Sequence, residues 1–153
     1  MRKRVMDRVS PMDEDWLDLQ RLADVELTSE EPLYPIDAAL IPGAGSGWRA
    51  AHAGEQTIRL LFREALRVRR IQLVFQEDQQ ERTQEFVLCW SAQGDSACRE
   101  IVRQQYNFSP HGATREVEDF AVDLPSVATL ELKIVPDIGR REAYASLAQL
   151  RIA

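Results

Sequence analysis

The sequence predicts an all-β domain, an antiparallel β-sandwich of jelly-roll type with about eight strands. Three observations predict it. From Thr57 onward, apolar and polar residues alternate in segment after segment. Turns containing Gly, Pro or Asp separate those segments. No long 3.6-residue period lies between them, which argues against helices crossing between parallel strands.

The elements follow in order. Residues 1–15 hold few apolar side chains and read as a flexible N-terminal arm. A single domain spans 16–153. Trp16, Leu19, Leu22 and Ala23 suit a short helix or turn, followed by a strand near Asp24 to Thr28. Pro32, Pro35 and Pro42, then Gly43, Gly45 and Gly47, mark a long irregular first loop from Ser29 to Gly54. Connections of that length are usually functional or specially packed.

The alternating segments come next. Ile58, Leu60 and Phe62 alternate with Arg59 and Arg63, although Leu61 breaks the polar face. Ile71, Leu73 and Phe75 alternate with Arg70 and Gln72, with Val74 as a second break. Phe86, Leu88 and Trp90 form another set, then Phe120, Val122 and Leu124, then Leu130, Leu132 and Ile134. Each set places its apolar side chains on one strand face. Cys98 to Tyr106 is strand-like, and Ala143 to Ile152 closes the chain.

Composition narrows the function. A chain of 153 residues builds one core without metal or disulfide staples. The net charge of -6 disfavours nucleic acid. No segment reaches the ~20 apolar residues of a membrane span. A basic cluster at Arg2, Lys3 and Arg4 is not followed by an apolar run, so no signal peptide is read and a cytoplasmic location is expected. Two reduced thiols are expected there at Cys89 and Cys98, although a hairpin at Gln93–Gly94 would set them opposite each other. With only His52 and His111 beside them, they offer no zinc spacing. The run Arg63, Arg67, Arg69 and Arg70 is expected to pair with Glu77, Asp78, Glu81 and Glu85 across a solvated face.

Catalysis finds no support. There is no Gly-x-Ser-x-Gly turn, Walker loop or His-Glu-x-x-His. No helix follows Gly43 to Gly47 to aim at a phosphate. Glu116 and Glu118 share one strand face, which is expected to be solvated and so to lack the desolvation an acid–base pair needs.

Several segments carry a resemblance. Tyr34-Pro35-Ile36-Asp37-Ala38-Ala39-Leu40, Gly47-Trp48-Arg49-Ala50-Ala51, Gly54 to Leu60, Phe86 to Ser91 with Gly94, and Ala145 to Ile152 occur in an order and spacing that resembles the discoidin family. This family, also called coagulation factor 5/8 type C, lies within the galactose-binding-like superfold. The resemblance covers residues 24–153. It implies that Trp48 plugs the core where the long loop returns. It also raises calcium near that loop, from Asp37 and a closing-strand acid, but Gln149 stands near the acid's place and a neutral amide is a poor ligand; no cofactor is expected. A narrower stretch, Trp48 to Ile58, is similar to one in the N-terminal domain of a DNA single-strand-break repair scaffold.

If the strands run antiparallel in order, the connections at Ser29–Gly54, Gln76–Arg82, Asn107–Thr114 and Pro136–Glu142 converge at one end. They carry Arg82, Phe108, His111, Asp137, Arg140 and Arg141. Rings with planar charged groups suit sugar or peptide recognition. The expectation is a non-catalytic module binding carbohydrate or another small polar ligand through these residues. The alternative is an intracellular protein–protein adaptor or homodimerising module, marked by an exposed apolar patch that includes Leu61 and Val74.

Overall fold

The computed structural model describes Met1 and residues 16–153. The predicted arm at 2–15 lies outside the described residues. Within them stand helices α1 (Leu19–Leu22) and α2 (Asp37–Leu40) and strands β1 (Ala23–Leu27), β2 (Trp48–Arg49), β3 (Gln56–Gln76), β4 (Arg82–Ser91), β5 (Arg99–Phe108), β6 (Arg115–Val135), β7 (Ser146–Leu147) and β8 (Gln149–Ile152). Among the described residues no helix is long and apolar enough to cross a membrane.

The sandwich is built around two long strands. β3 and β6 pair antiparallel along most of their length, from Gln56 opposite Ile134 to Gln76 opposite Arg115. Their register shifts between Leu61 and Arg70, where bulges let a strand bend and twist. There both strands pass from one layer to the other. One layer runs β1, the start of β3, the end of β6, β4, β5; the other runs β8, the end of β3, the start of β6. The expected segments at Ile58–Phe62 and Ile71–Phe75 are therefore one strand, as are Phe120–Leu124 and Leu130–Ile134. The expected closing strand divides into β7 and β8, and β2 joins β7 inside the long loop region. All pairings are antiparallel.

The core lies between the layers. Phe75 stacks on Phe86 with centroids 5.2 Å apart, and Phe86 meets Phe120 at 6.4 Å. Ile58, Leu60, Leu73, Leu88 and Leu132 fill the same cluster. Truncating one such ring costs about 3–5 kcal/mol. Trp48 is buried, as expected, and its Nε1 donates to the Ser29 carbonyl at 3.0 Å. Gly47 lets the long loop close over this plug. Its φ is 111°, and a Cβ there would lie 2.6 Å from the Leu147 carbonyl oxygen.

Three expectations need correction. Cys89 and Cys98 are disulfide-bonded, with Cα atoms 5.5 Å apart. The Gln93–Gly94 turn and the register shift after Leu88 bring them together. Three arginines of the run do pair with acids, but with diagonal neighbours on the adjoining strands. Arg63 meets Asp24 at 3.1 Å, Arg67 meets Asp123, and Arg70 meets Asp119. Continuity of β3 puts these residues beside β1 and β6, out of line with Glu77 and Glu81. Finally, Val74 does not belong to an exposed apolar patch, and Leu61 is only partly exposed. Val74 is buried, with its carbonyl accepting from the Ala148 amide at 2.8 Å.

Candidate functional site

The convergence of loops at one end is observed. The Glu77 amide donates to the Thr114 carbonyl at 2.9 Å, and the Ile138 amide to the Thr83 carbonyl at 2.8 Å. Arg141 Nη1 donates to the Glu81 carbonyl, and Gln80 Nε2 to the Glu142 carbonyl, both at 3.1 Å. The Gly54 amide reaches the Ala143 carbonyl at 3.0 Å. These bonds tie the long loop and the three shorter connections into one surface.

The six expected site residues divide within it. Arg82 is 1% exposed. Its Nε donates to Glu77 Oε1 at 2.9 Å, and its Nη1 to Gln84 Oε1 at 3.1 Å and the Pro136 carbonyl at 2.9 Å. The guanidinium lies 4.8 Å from the centre of the buried Phe108 ring, which in turn meets Tyr106 edge-on. Asp137 is also buried, accepting from the Thr83 and Arg141 amides at 3.0 Å. Burial pushes its carboxyl up, but those amides and the nearby Arg141 charge hold it below the ordinary carboxylate range. Arg82, Phe108 and Asp137 therefore brace the loops from beneath rather than meet a ligand directly. Strand alternation turns Arg82 and Phe108 inward at the ends of β4 and β5, while Asp137, two residues beyond β6, is held in by the Thr83 and Arg141 amides. His111, Arg140 and Arg141 are exposed at the tips. Arg140 sits at φ 63°, in the left-handed region.

A cleft of about 530 Å³ opens at this same end. The long loop region supplies Glu31, Tyr34 and Arg49, the 77–81 connection supplies Asp78, the last loop supplies Tyr144, and β7 supplies Ser146. A bridge between Glu31 and Tyr34 sets the turn that presents the tyrosine. Strand β2 then returns Arg49 over the Tyr34 ring, 4.8 Å from its centre. Tyr144 is 45% exposed, a high value for an aromatic side chain. The cleft thus offers two rings, a guanidinium, a hydroxyl and carboxylates to one ligand. Of the four connections expected to form the site, Ser29–Gly54 and Gln76–Arg82 line this cleft, Asn107–Thr114 and Pro136–Glu142 do not, and Tyr34, Asp78 and Tyr144 were not among the expected site residues. The signal available was an aromatic residue in each of the two loops flanking β2 and β7.

Behind the cleft lies a buried polar relay. Glu77, which lines the cleft, holds Arg82; Arg82 holds Gln84; and Gln84 Nε2 donates to Glu116 Oε1 at 3.1 Å. Glu116 is 1% exposed, against the solvated position expected for it. It lies on the strand face of Phe120, Val122 and Leu124, which is the interior face. Burial, reinforced by neighbouring Glu118, pushes its carboxyl up to about 8, while Gln84 and Arg82 pull the other way. Enclosed in this way, it does not reach the cleft.

The residues do not fit a calcium site. Asp37 and Gln149 are both exposed, and Gln149 is neutral. Arg151 Nη1 donates to the Ala39 carbonyl at 2.7 Å and to the Leu150 carbonyl at 3.0 Å. This buried guanidinium sets a positive charge beside α2, where a divalent cation would need clustered oxygens.

No family model and no curated protein matches the sequence. Solved structures do match the fold. The family 32 carbohydrate-binding module of NanJ from Clostridium perfringens, in complex with galactose, is 18% identical with a TM-score of 0.63, over 90% of this chain and 96% of that one. The family 32 module of AlyQ, in complex with 4,5-unsaturated mannuronic acid, is 13% identical with a TM-score of 0.62, over 86% and 95%. A pectin-binding carbohydrate-binding module is 14% identical with a TM-score of 0.60, over 86% and 89%. At these identities the likeness is one of fold, and this chain has the galactose-binding-like β-sandwich in common with them.

Proposed function

We propose that this chain is a non-catalytic carbohydrate-binding module that holds a sugar in the cleft between Tyr34 and Tyr144. The exposed tyrosine facing a polar cleft carries the reading. A pyranose has an apolar face of C–H groups and a rim of hydroxyls. The rings suit the face, while Arg49, Ser146 and the carboxylates suit the rim through directional and charge-assisted hydrogen bonds. His111, Arg140 and Arg141 stand on neighbouring loop tips and extend the surface for a longer sugar chain. Three fold neighbours described as binding galactose, unsaturated mannuronic acid or pectin support the class of ligand. With few direct contacts to offset immobilisation, the dissociation constant is expected at about millimolar to micromolar.

The test is a glycan array followed by NMR titration of the best binder. Shifts confined to the 29–54, 77–81 and 136–146 loops, lost in Tyr144→Ala, are expected. Saturating sugar that moves no resonance in those loops would remove the reading.

A further inference from the structure

We infer that the cleft selects sugars that carry no carboxylate. The inference rests on the carbohydrate reading above and refines the ligand class of the same site. Among the described residues lining the cleft, the formal charges are Glu31, Glu77, Asp78 and Arg49. Glu77 is already neutralised by Arg82, whose Nε lies 2.9 Å away. Neither Glu31 nor Asp78 forms an ion pair with a described residue. Asp78 Oδ1 accepts only the Gln79 side-chain amide, at 3.2 Å. Arg49 is laid over the Tyr34 ring. Two open carboxylates therefore face one guanidinium.

That balance has a direct consequence for ligands. A neutral pyranose gives the carboxylates hydroxyl donors, which make charge-assisted hydrogen bonds. An amino sugar adds a cation to the same acceptors. A uronate brings a third open carboxylate, which Arg49 attracts but which accepts nothing from Glu31 or Asp78 and is repelled by both, so the two acids outweigh the one guanidinium. For charges about 7 Å apart and partly screened, the difference is roughly three- to tenfold in affinity at physiological salt.

The experiment measures binding of matched series by NMR titration: galactose, galactosamine and galacturonate, with the gluco and manno equivalents. The neutral and amino members of the best series are expected to bind several-fold tighter than the uronate. The gap should narrow in 1 M salt and in a Glu31→Gln/Asp78→Asn double variant. The salt arm uses the unaltered chain, so it stands even if the variant misfolds. A uronate that binds as tightly as its neutral partner overturns the inference, as does a gap that salt leaves unchanged. If no member of any series binds, the carbohydrate reading itself falls.

Discussion

The Arg49 guanidinium lies over the Tyr34 ring, 4.8 Å from its centre, and both side chains line the cleft. The pair joins the two ends of the long loop, because Arg49 belongs to β2 and Tyr34 to the turn before α2. Cation–π contacts at exposed sites contribute about 0.5–1 kcal/mol. Arg49→Ala is therefore expected to leave the fold intact while weakening sugar binding at least severalfold, since both the ring's orientation and a donor are lost. Isothermal titration of wild type and variant against the same glycan checks this. Unchanged affinity would show that the ligand does not use this wall.

Glu116 makes stability depend on pH in an unusual direction. Its folded carboxyl titrates at about 8, while an unfolded glutamate titrates near 4.3. Between those values the folded state holds a proton that the unfolded state has released. Stability from this group is thus complete below about pH 4.3 and is lost as pH rises through 8, by up to a few kcal/mol. Asp119, held low by its hydrogen bond to Arg70, and Asp137 act in the opposite sense and lose their contribution on acidification. Urea unfolding at pH 5, 7 and 9 should show stability falling across that range. Glu116→Gln keeps an acceptor for Gln84 Nε2 and should flatten the slope. Parallel slopes for the two proteins would contradict the assignment.

The Cys89–Cys98 bond closes a short loop across the β4–β5 hairpin. Constraining a loop of about ten residues in the unfolded chain contributes about 2–3 kcal/mol. Reduction, or a Cys89→Ser/Cys98→Ser double variant, should lower Tm by roughly 5–10 °C. Thiol titration of the unreduced, denatured protein should find no free thiol. Two free thiols would mean the pair is not joined.

Much of the sandwich was legible because buried faces write themselves as a period of two. Phe86, Leu88 and Trp90 are one such face, and all three are buried. The crossing of β3 between layers was not legible. From Arg63 to Ala65, where the strand passes between the two layers, all three residues are exposed, so the alternation lapses until Leu66 packs on the core again. Glu116 failed for a different reason. Extending the Phe120–Val122–Leu124 face back by four residues reaches it, but a charged residue on an apolar face looks like the end of burial. Convergence of the loops could be inferred from strand order alone. Which side chains stand in the cleft could not, because Tyr144 owes its exposure to how β7 pairs with β2.

Arg151 sets a buried positive charge beside the first loop. Its guanidinium is buried, desolvation holds it below the usual arginine value, and it donates to the Ala39 and Leu150 carbonyls. No carboxylate among the described residues pairs with it. Arg151→Met keeps most of the stem's packing but leaves the Ala39 carbonyl without its donor. A hydrogen bond to a charged group contributes about 1.5–3 kcal/mol, and relief of burying the charge offsets part of that, so a net loss of about 1–2 kcal/mol is expected. Asp37 and Gln149 form no cluster of charged oxygens here, so calcium is expected to leave stability unchanged. Thermal melts in millimolar calcium and in excess chelator should coincide for the wild type. They should also coincide for Arg151→Met, because removing the guanidinium does not turn Gln149 into a carboxylate. A calcium-dependent rise in Tm in the wild type would show that oxygens near α2 do gather around a metal, and that Arg151 is not the cation holding this corner.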